Sequence, residues 1–213
     1  MIFKNKKSLE EPGSESPPPE GEIAVPINPD LRILGLYGEV EENRAASVIS
    51  MLLEMMETSE VKIKEDPESD ELKSISLPIE FLISTPGGSA DDMFAIYDIM
   101  RVARERCPII TYGLGKVMSA GVLLLAAGTK GERKIGKNCR VMIHSVIAGS
   151  AGSFHNLKNE MSEIKHMQAA YIKALAEETN MTETKLRRML NKKVNIYLSA
   201  EEAVKLGIAD IIV

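Results

Sequence analysis

Three histidines in 213 residues leave few choices of general base. His155 and His166 fall eleven residues apart in one long helical segment, on one face among Lys and Glu, a setting for solvated or packing residues. His144 differs: it ends the apolar run Val141-Met142-Ile143 and precedes a glycine-rich stretch, and α/β folds place reactive groups at such strand ends. A histidine that only packs fits the same place. Ser119 is a second candidate, because it opens an apolar helix with small Ala120 and Gly121 behind it. A turn there exposes the hydroxyl, and free N–H groups at the helix start can stabilise an oxyanion. Ser is also a preferred helix N-cap, so a capping role is the other reading. The third candidate is Thr85-Pro86-Gly87-Gly88-Ser89, whose glycines let backbone amides approach a ligand closely; a plain turn is the alternative. There is no G-x-G-x-x-G fingerprint, no Walker loop and no C-x-x-C pair, the only cysteines being Cys107 and Cys139. Neither cofactor nor metal is expected.

The elements that must hold these groups are legible from periodicity. Leu31 to Leu36 reads as a strand, and Glu41 to about Thr58 as a helix, with Ala45, Val48, Ile49, Leu52, Met55 and Met56 on one face. The charged stretch from about 59 to 78 reads as a loop or short excursion closed by Pro78. Ile79 to Ser84 is an apolar strand, and Ser89 with Asp92 makes a capping pair for a helix to about Glu105. Cys107 to Tyr112 is a strand, Gly113 to Met118 a glycine-bearing connection, and the helix after Ser119 stops at Gly128. Short strands near Arg133–Ile135 and Arg140–Ile143 lead to a long helix from about Ser153 to Glu178. A short helix capped by Thr182, a strand at Ile196–Tyr197, a helix capped by Ser199 and Glu202, and a strand from Ile208 to Val213 complete the chain. Strands alternating with helices predict an α/β domain with a mostly parallel sheet over 31–213.

The net charge, 26 − 31 = −5, argues against a nucleic-acid partner held by bulk charge. No apolar run approaches the roughly 18 residues of a membrane span, and the first 22 residues carry no apolar signal core. A cytoplasmic protein with no membrane partner is expected. Residues 1–30, with Pro17, Pro18 and Pro19 in a row, are expected to be disordered or extended for want of apolar content.

Four segments in one order, STPGGSADDMFAIYDIM, GKVMSAGVLLLAAG, RVMIHS and YLSAEEAVKLGIAD, resemble the Clp protease proteolytic subunit (ClpP) family. The similarity runs from about Ile33 to the C-terminus. It implies a ClpP/crotonase-like α/β fold of repeated β-β-α units with a protruding handle helix, here about 153–178. It implies a serine endopeptidase cutting unfolded polypeptides inside two stacked heptameric rings, a tetradecamer. By resemblance Ser119 is the nucleophile and His144 the base. Gly88 and Ala120 supply the oxyanion-hole amides, and Gly149 to Gly152 form the strand beside which substrate lies. An ATP-dependent unfoldase is implied as a partner, but residues 1–30 do not match the family's axial loop and helix. The 59–78 stretch looks like an insertion. Where the family has Asp, two residues before the aromatic of its FLSA-like motif, this chain has Asn195. An Asn can orient His144 through its oxygen yet supplies no charge to the imidazolium. Asp210 is a second acid to weigh.

Other readings stay open. Asn195 and the unmatched N-terminus fit a catalytically weak or inactive ring subunit with a structural role. The order of Ser and His fits a protease better than a crotonase-like acyl-CoA enzyme. Lys116, three residues before Ser119, is a poor match for a Ser–Lys pair. On the long helix Leu157, Met161, Ile164, Ala169 and Ile172 form an apolar stripe that monomers avoid exposing, so a homo-oligomer is expected.

Overall fold

Strict alternation makes the central strand. In β4 (Ile79–Thr85), Ile79, Phe81, Ile83 and Thr85 are buried and the residues between them half-buried, so both faces are covered. The computed structural model describes residues 31–64, 71–192 and 194–213, and Arg32–Val213 packs as one unit. The expectations for residues 1–30, and in part for 59–78, lie outside the described residues.

β4 pairs in parallel with β1 (Ile33–Tyr37) on one side and β5 (Ile109–Met118) on the other. β5 serves two partners in succession. Tyr112 and Gly113 pair with β6 (Lys134–Ile135), whereas Lys116 to Met118 pair with β7 (Arg140–Ile143). A register shift between Ile83 and Thr85 accommodates the change. The stretch 113–118 is therefore the second half of a strand rather than a connection; its glycines hid the alternation. β8 (Ile196–Leu198) runs antiparallel to β7, and β9 (Ile211–Ile212) lies parallel beside β6. Among the described residues, five of the six pairings in this sheet are parallel. This is the expected α/β class.

α1 (Glu42–Glu57) buries Ala45, Val48, Leu52 and Met56, one stripe at helical spacing. α2 (Ala90–Arg104) starts at Ser89, whose Oγ accepts the Asp92 N–H at 3.2 Å. α3 (Ala120–Ala126) is buried at every residue. α4 (Phe154–Glu178) has 25 residues and so spans about 38 Å. Its C-terminal half buries Tyr171, Ile172, Ala174 and Leu175, whereas 154–163 is exposed throughout. Ile172 thus belongs to the chain's own core, not to the exposed stripe, which instead runs through Phe154, Leu157 and Met161. α5 (Glu183–Leu190) and α6 (Ala200–Lys205) follow, the latter with a full capping box between Ser199 and Glu202.

The charged excursion holds two strands, β2 (Glu60–Lys64) and β3 (Leu72–Ser76), paired antiparallel from Glu60↔Ser76 to Lys64↔Leu72. The flanking charges concealed the alternation of Val61 with Ile63. Residues 149–152 form no strand: Gly149 and Gly152 are exposed, and among the described residues no strand pairs with them.

Arg133, 4% exposed, joins three segment ends. Its Nη1 donates to the Ala126 and Glu178 carbonyls at 3.1 and 2.7 Å, at the C-termini of α3 and α4. Its Nε and Nη2 grip the Asp210 carboxylate at 2.7 and 2.5 Å. Burial pushes the Asp210 carboxyl up, but the Arg133 hydrogen bonds outweigh it and hold the group below its ordinary range.

Candidate active site

Ser119 sits at the junction of β5 and α3 with φ 52° and ψ −118°, the one non-glycine residue of positive φ among the described residues. Such a backbone costs about 1–3 kcal/mol and persists only where its surroundings over-determine it. Here they do. The Ser119 N–H donates to Met142 O at 2.8 Å. The Ser119 carbonyl accepts from Tyr171 Oη at 2.9 Å and from Val122 N–H at 3.0 Å. The hydroxyl caps nothing in α3, so the N-cap reading is overturned. Instead Ser119 Oγ lies 2.8 Å from His144 Nε2. The register explains the meeting. Met118 pairs with Met142 in parallel, so the residues just beyond the two strand ends emerge on the same edge of the sheet.

His144 is half-buried, and burial disfavours the imidazolium, pushing its pKa below the ordinary 6.5. The ring is therefore neutral at pH 7. For Nε2 to accept the hydroxyl proton, the ring proton must sit on Nδ1. Among the described residues Nδ1 has no hydrogen-bond partner. Continuing the Ile143↔Ile196 pairing by one residue sets Asn195 across from His144. Asn195 is nevertheless exposed, and no hydrogen bond joins it to the ring. Asp210 is committed to Arg133, and Lys116 is exposed and pairs in register with Arg140. His155 and His166 are exposed on α4.

Gly88 approaches this pair from β4. Val40 donates to Gly87 O and accepts from Ser89 N–H, both at 2.9 Å. In such a parallel bridge the N–H of the intervening Gly88 points to the opposite edge, and Gly88 lines the cavity beside Ser119. A Cβ on Gly88 would overlap the Val40 carbonyl, and one on Gly87 would fall 2.6 Å from Ser119 Cβ. Both positions require glycine for the loop to pass this close. Ala120, the first residue of α3, has no carbonyl four residues back within the helix to take its N–H. The cavity, about 300 Å³, is walled by Ser119, Ala120 and His144 on one side and by apolar Met93, Val146, Ile147 and Met167 on another.

Sequence reasoning missed two residues of α4. Gln168 Oε1 accepts the Val146 N–H at 2.7 Å, and Tyr171 holds the Ser119 carbonyl. In sequence both are amphipathic residues inside a helix, and no motif marks them. Among the described residues no three His, Cys, Asp or Glu converge to hold a metal, and no helix is long and apolar enough to cross a membrane.

A family model described as Clp protease matches residues 29–213. The chain is 32% identical over 198 residues to an ATP-dependent Clp protease proteolytic subunit 4 of Rhodococcus jostii, covering 92% of each protein. It is 32% identical over 196 residues to an ATP-dependent Clp protease proteolytic subunit 2 of Chlamydia pneumoniae, covering 91% of this chain and 87% of that one. The Chlamydia trachomatis serovar D subunit of the same description is 33% identical over 193 residues, covering 89% of this chain and 86% of its own length.

Proposed function

The chain belongs to the Clp protease family, and on that premise we propose that it is a serine endopeptidase of the ClpP type acting on unfolded polypeptides. The observation that carries the reading is the 2.8 Å contact between Ser119 Oγ and a neutral His144 at a strained backbone turn. Ser119 Oγ attacks the peptide carbonyl while His144 Nε2 takes its proton. The Gly88 and Ala120 N–H groups receive the oxyanion. His144 returns the proton to the leaving amine, and water then hydrolyses the acyl-enzyme by the same relay. The extended substrate is placed beside 146–148, with an apolar side chain in the cavity walled by Ile147 and Met167.

The exposed apolar residues Phe154, Leu157 and Met161 on the free half of α4 support assembly into stacked rings. The relatives are described as proteolytic subunits of ATP-dependent proteases, which supports an ATP-dependent unfoldase as the proposed feeder. The test is incubation with a fluorophosphonate probe, with mass mapping of the adduct and light scattering on the same sample. Labelling at Ser119 in an oligomer is expected. An unlabelled oligomer would favour the inactive structural subunit, the reading that the unpartnered His144 Nδ1 supports, and a stable monomer would contradict the ring.

Asn195 is proposed to orient His144. Because only neutral imidazole can act as base, and burial lowers its pKa, the acid limb of kcat/KM is expected below 6.5. Asn195→Asp places a negative charge beside the ring and favours imidazolium. It is expected to raise turnover and to move that limb upward. A pH–rate profile of a fluorogenic peptide checks both, and an unchanged profile in Asn195→Asp and Asn195→Ala would remove Asn195 from the machinery.

A further inference from the structure

We infer that Tyr171 is a positioning residue for the oxyanion hole, acting through the peptide unit that joins Ser119 to Ala120. The inference rests on the reading of Ser119 and Ala120 given above. The Ser119 carbonyl and the Ala120 N–H belong to one planar trans unit, so the direction of one dictates the direction of the other. Tyr171 Oη donates to that carbonyl at 2.9 Å. The hydrogen bond therefore aims the Ala120 N–H, and by polarising the carbonyl it strengthens the same N–H as a donor.

Further observations converge on this role. The unit follows Ser119, whose strained φ of 52° persists only where its surroundings hold it, and Tyr171 shares the holding of that carbonyl with the Val122 N–H. Tyr171 is 5% exposed, so water does not compete for its hydroxyl. Burial also keeps the phenol protonated far above neutral pH, which makes it a constant donor. The residue comes from α4 and lies 52 positions along the chain from Ser119, so the bond is tertiary rather than part of the turn. One turn earlier Gln168 holds the Val146 N–H, so the same face of α4 grips both the nucleophile's turn and the segment after His144.

Tyr171→Phe keeps the ring and removes only the donor. Deleting an oxyanion donor outright costs about 10²–10³ in kcat; misaiming one is expected to cost about tenfold. The loss should fall mainly on kcat, with the acid limb of the pH profile unchanged because His144 is not touched; Tyr171 also lines the cavity, so at most a small change in KM is expected beside it. Tyr97→Phe is the matched control. Tyr97 is a comparably buried phenol that donates to Glu178 at 3.0 Å, away from Ser119. It is expected to lower thermal stability without lowering kcat. Equal kcat in Tyr171→Phe and wild type, a loss confined to KM, or equal kcat losses in both Phe variants would each overturn the inference. Absence of any Ser119-dependent hydrolysis in the wild type would instead sink the protease reading and this inference together.

Discussion

Ser119→Ala is expected to lower peptide turnover by roughly 10⁴-fold or more, with particle size and melting temperature unchanged. The expected loss is large because, among the described residues, the Ser119 hydroxyl is the one group hydrogen-bonded to His144; Lys116 and Asp210, weighed in sequence as a base and an acid, are exposed on β5 and bound to Arg133 respectively. Stability should hold because Ala accepts the same strained backbone, and the N–H and carbonyl bonds of residue 119 to Met142 and Tyr171 do not involve the hydroxyl. His144→Ala should give a loss of similar size. The double variant should be no slower than either single one, since the two groups act as one proton-transfer unit. Turnover of Ser119→Ala within a few-fold of wild type would overturn the assignment, and additive losses would show that the two residues work independently.

Arg133→Met is expected to be the most damaging single change to stability, at about 3–5 kcal/mol. The substitution preserves much of the volume but strands the Ala126 and Glu178 carbonyls and removes both guanidinium bonds to the Asp210 carboxylate, which keeps only the N–H groups of Gly131 and of residue 133. Those groups end α3, α4 and the connection into β9, so three elements lose one shared anchor. For a domain of this size the expected fall in melting temperature is about 10 °C. Asp210→Asn should cost less, because the amide oxygen still accepts from Arg133. The sign of the pH effect also follows. Asp210 is held below its ordinary pKa when folded, so its contribution is present at neutral pH and is lost as pH falls through the folded value. Calorimetric melting at pH 7 and in mild acid checks both statements; an Arg133→Met melting point equal to wild type would remove the hub from the account of stability.

Local patterns in the chain were enough to recover α1, α2 and α4, and the caps of α2, α5 and α6. A helix stripe such as Ala45, Val48, Leu52 and Met56, or a pair such as Ser199 and Glu202, is a short-range property that folding preserves. The same holds for the candidates Ser119, His144 and Gly88, which stand at strand ends and turns marked by small residues. Three matters escaped because they depend on partners distant in sequence. β5 continues through Gly113 and Gly115 only because β7 comes to lie beside Lys116 to Met118. The hydroxyl of Ser119 is read in sequence as cap or nucleophile with equal chemistry; the parallel register of β5 and β7 and the positive φ turn it from the helix to His144. Tyr171 carries no signal at all within its helix, and becomes a partner of Ser119 only when α4 packs over the turn. Residue type and local element were legible from the chain alone. Which residues meet was decided by the tertiary structure, because a hydrogen bond across 25 or 52 residues is set by sheet register and helix packing, not by the periodicity of either segment.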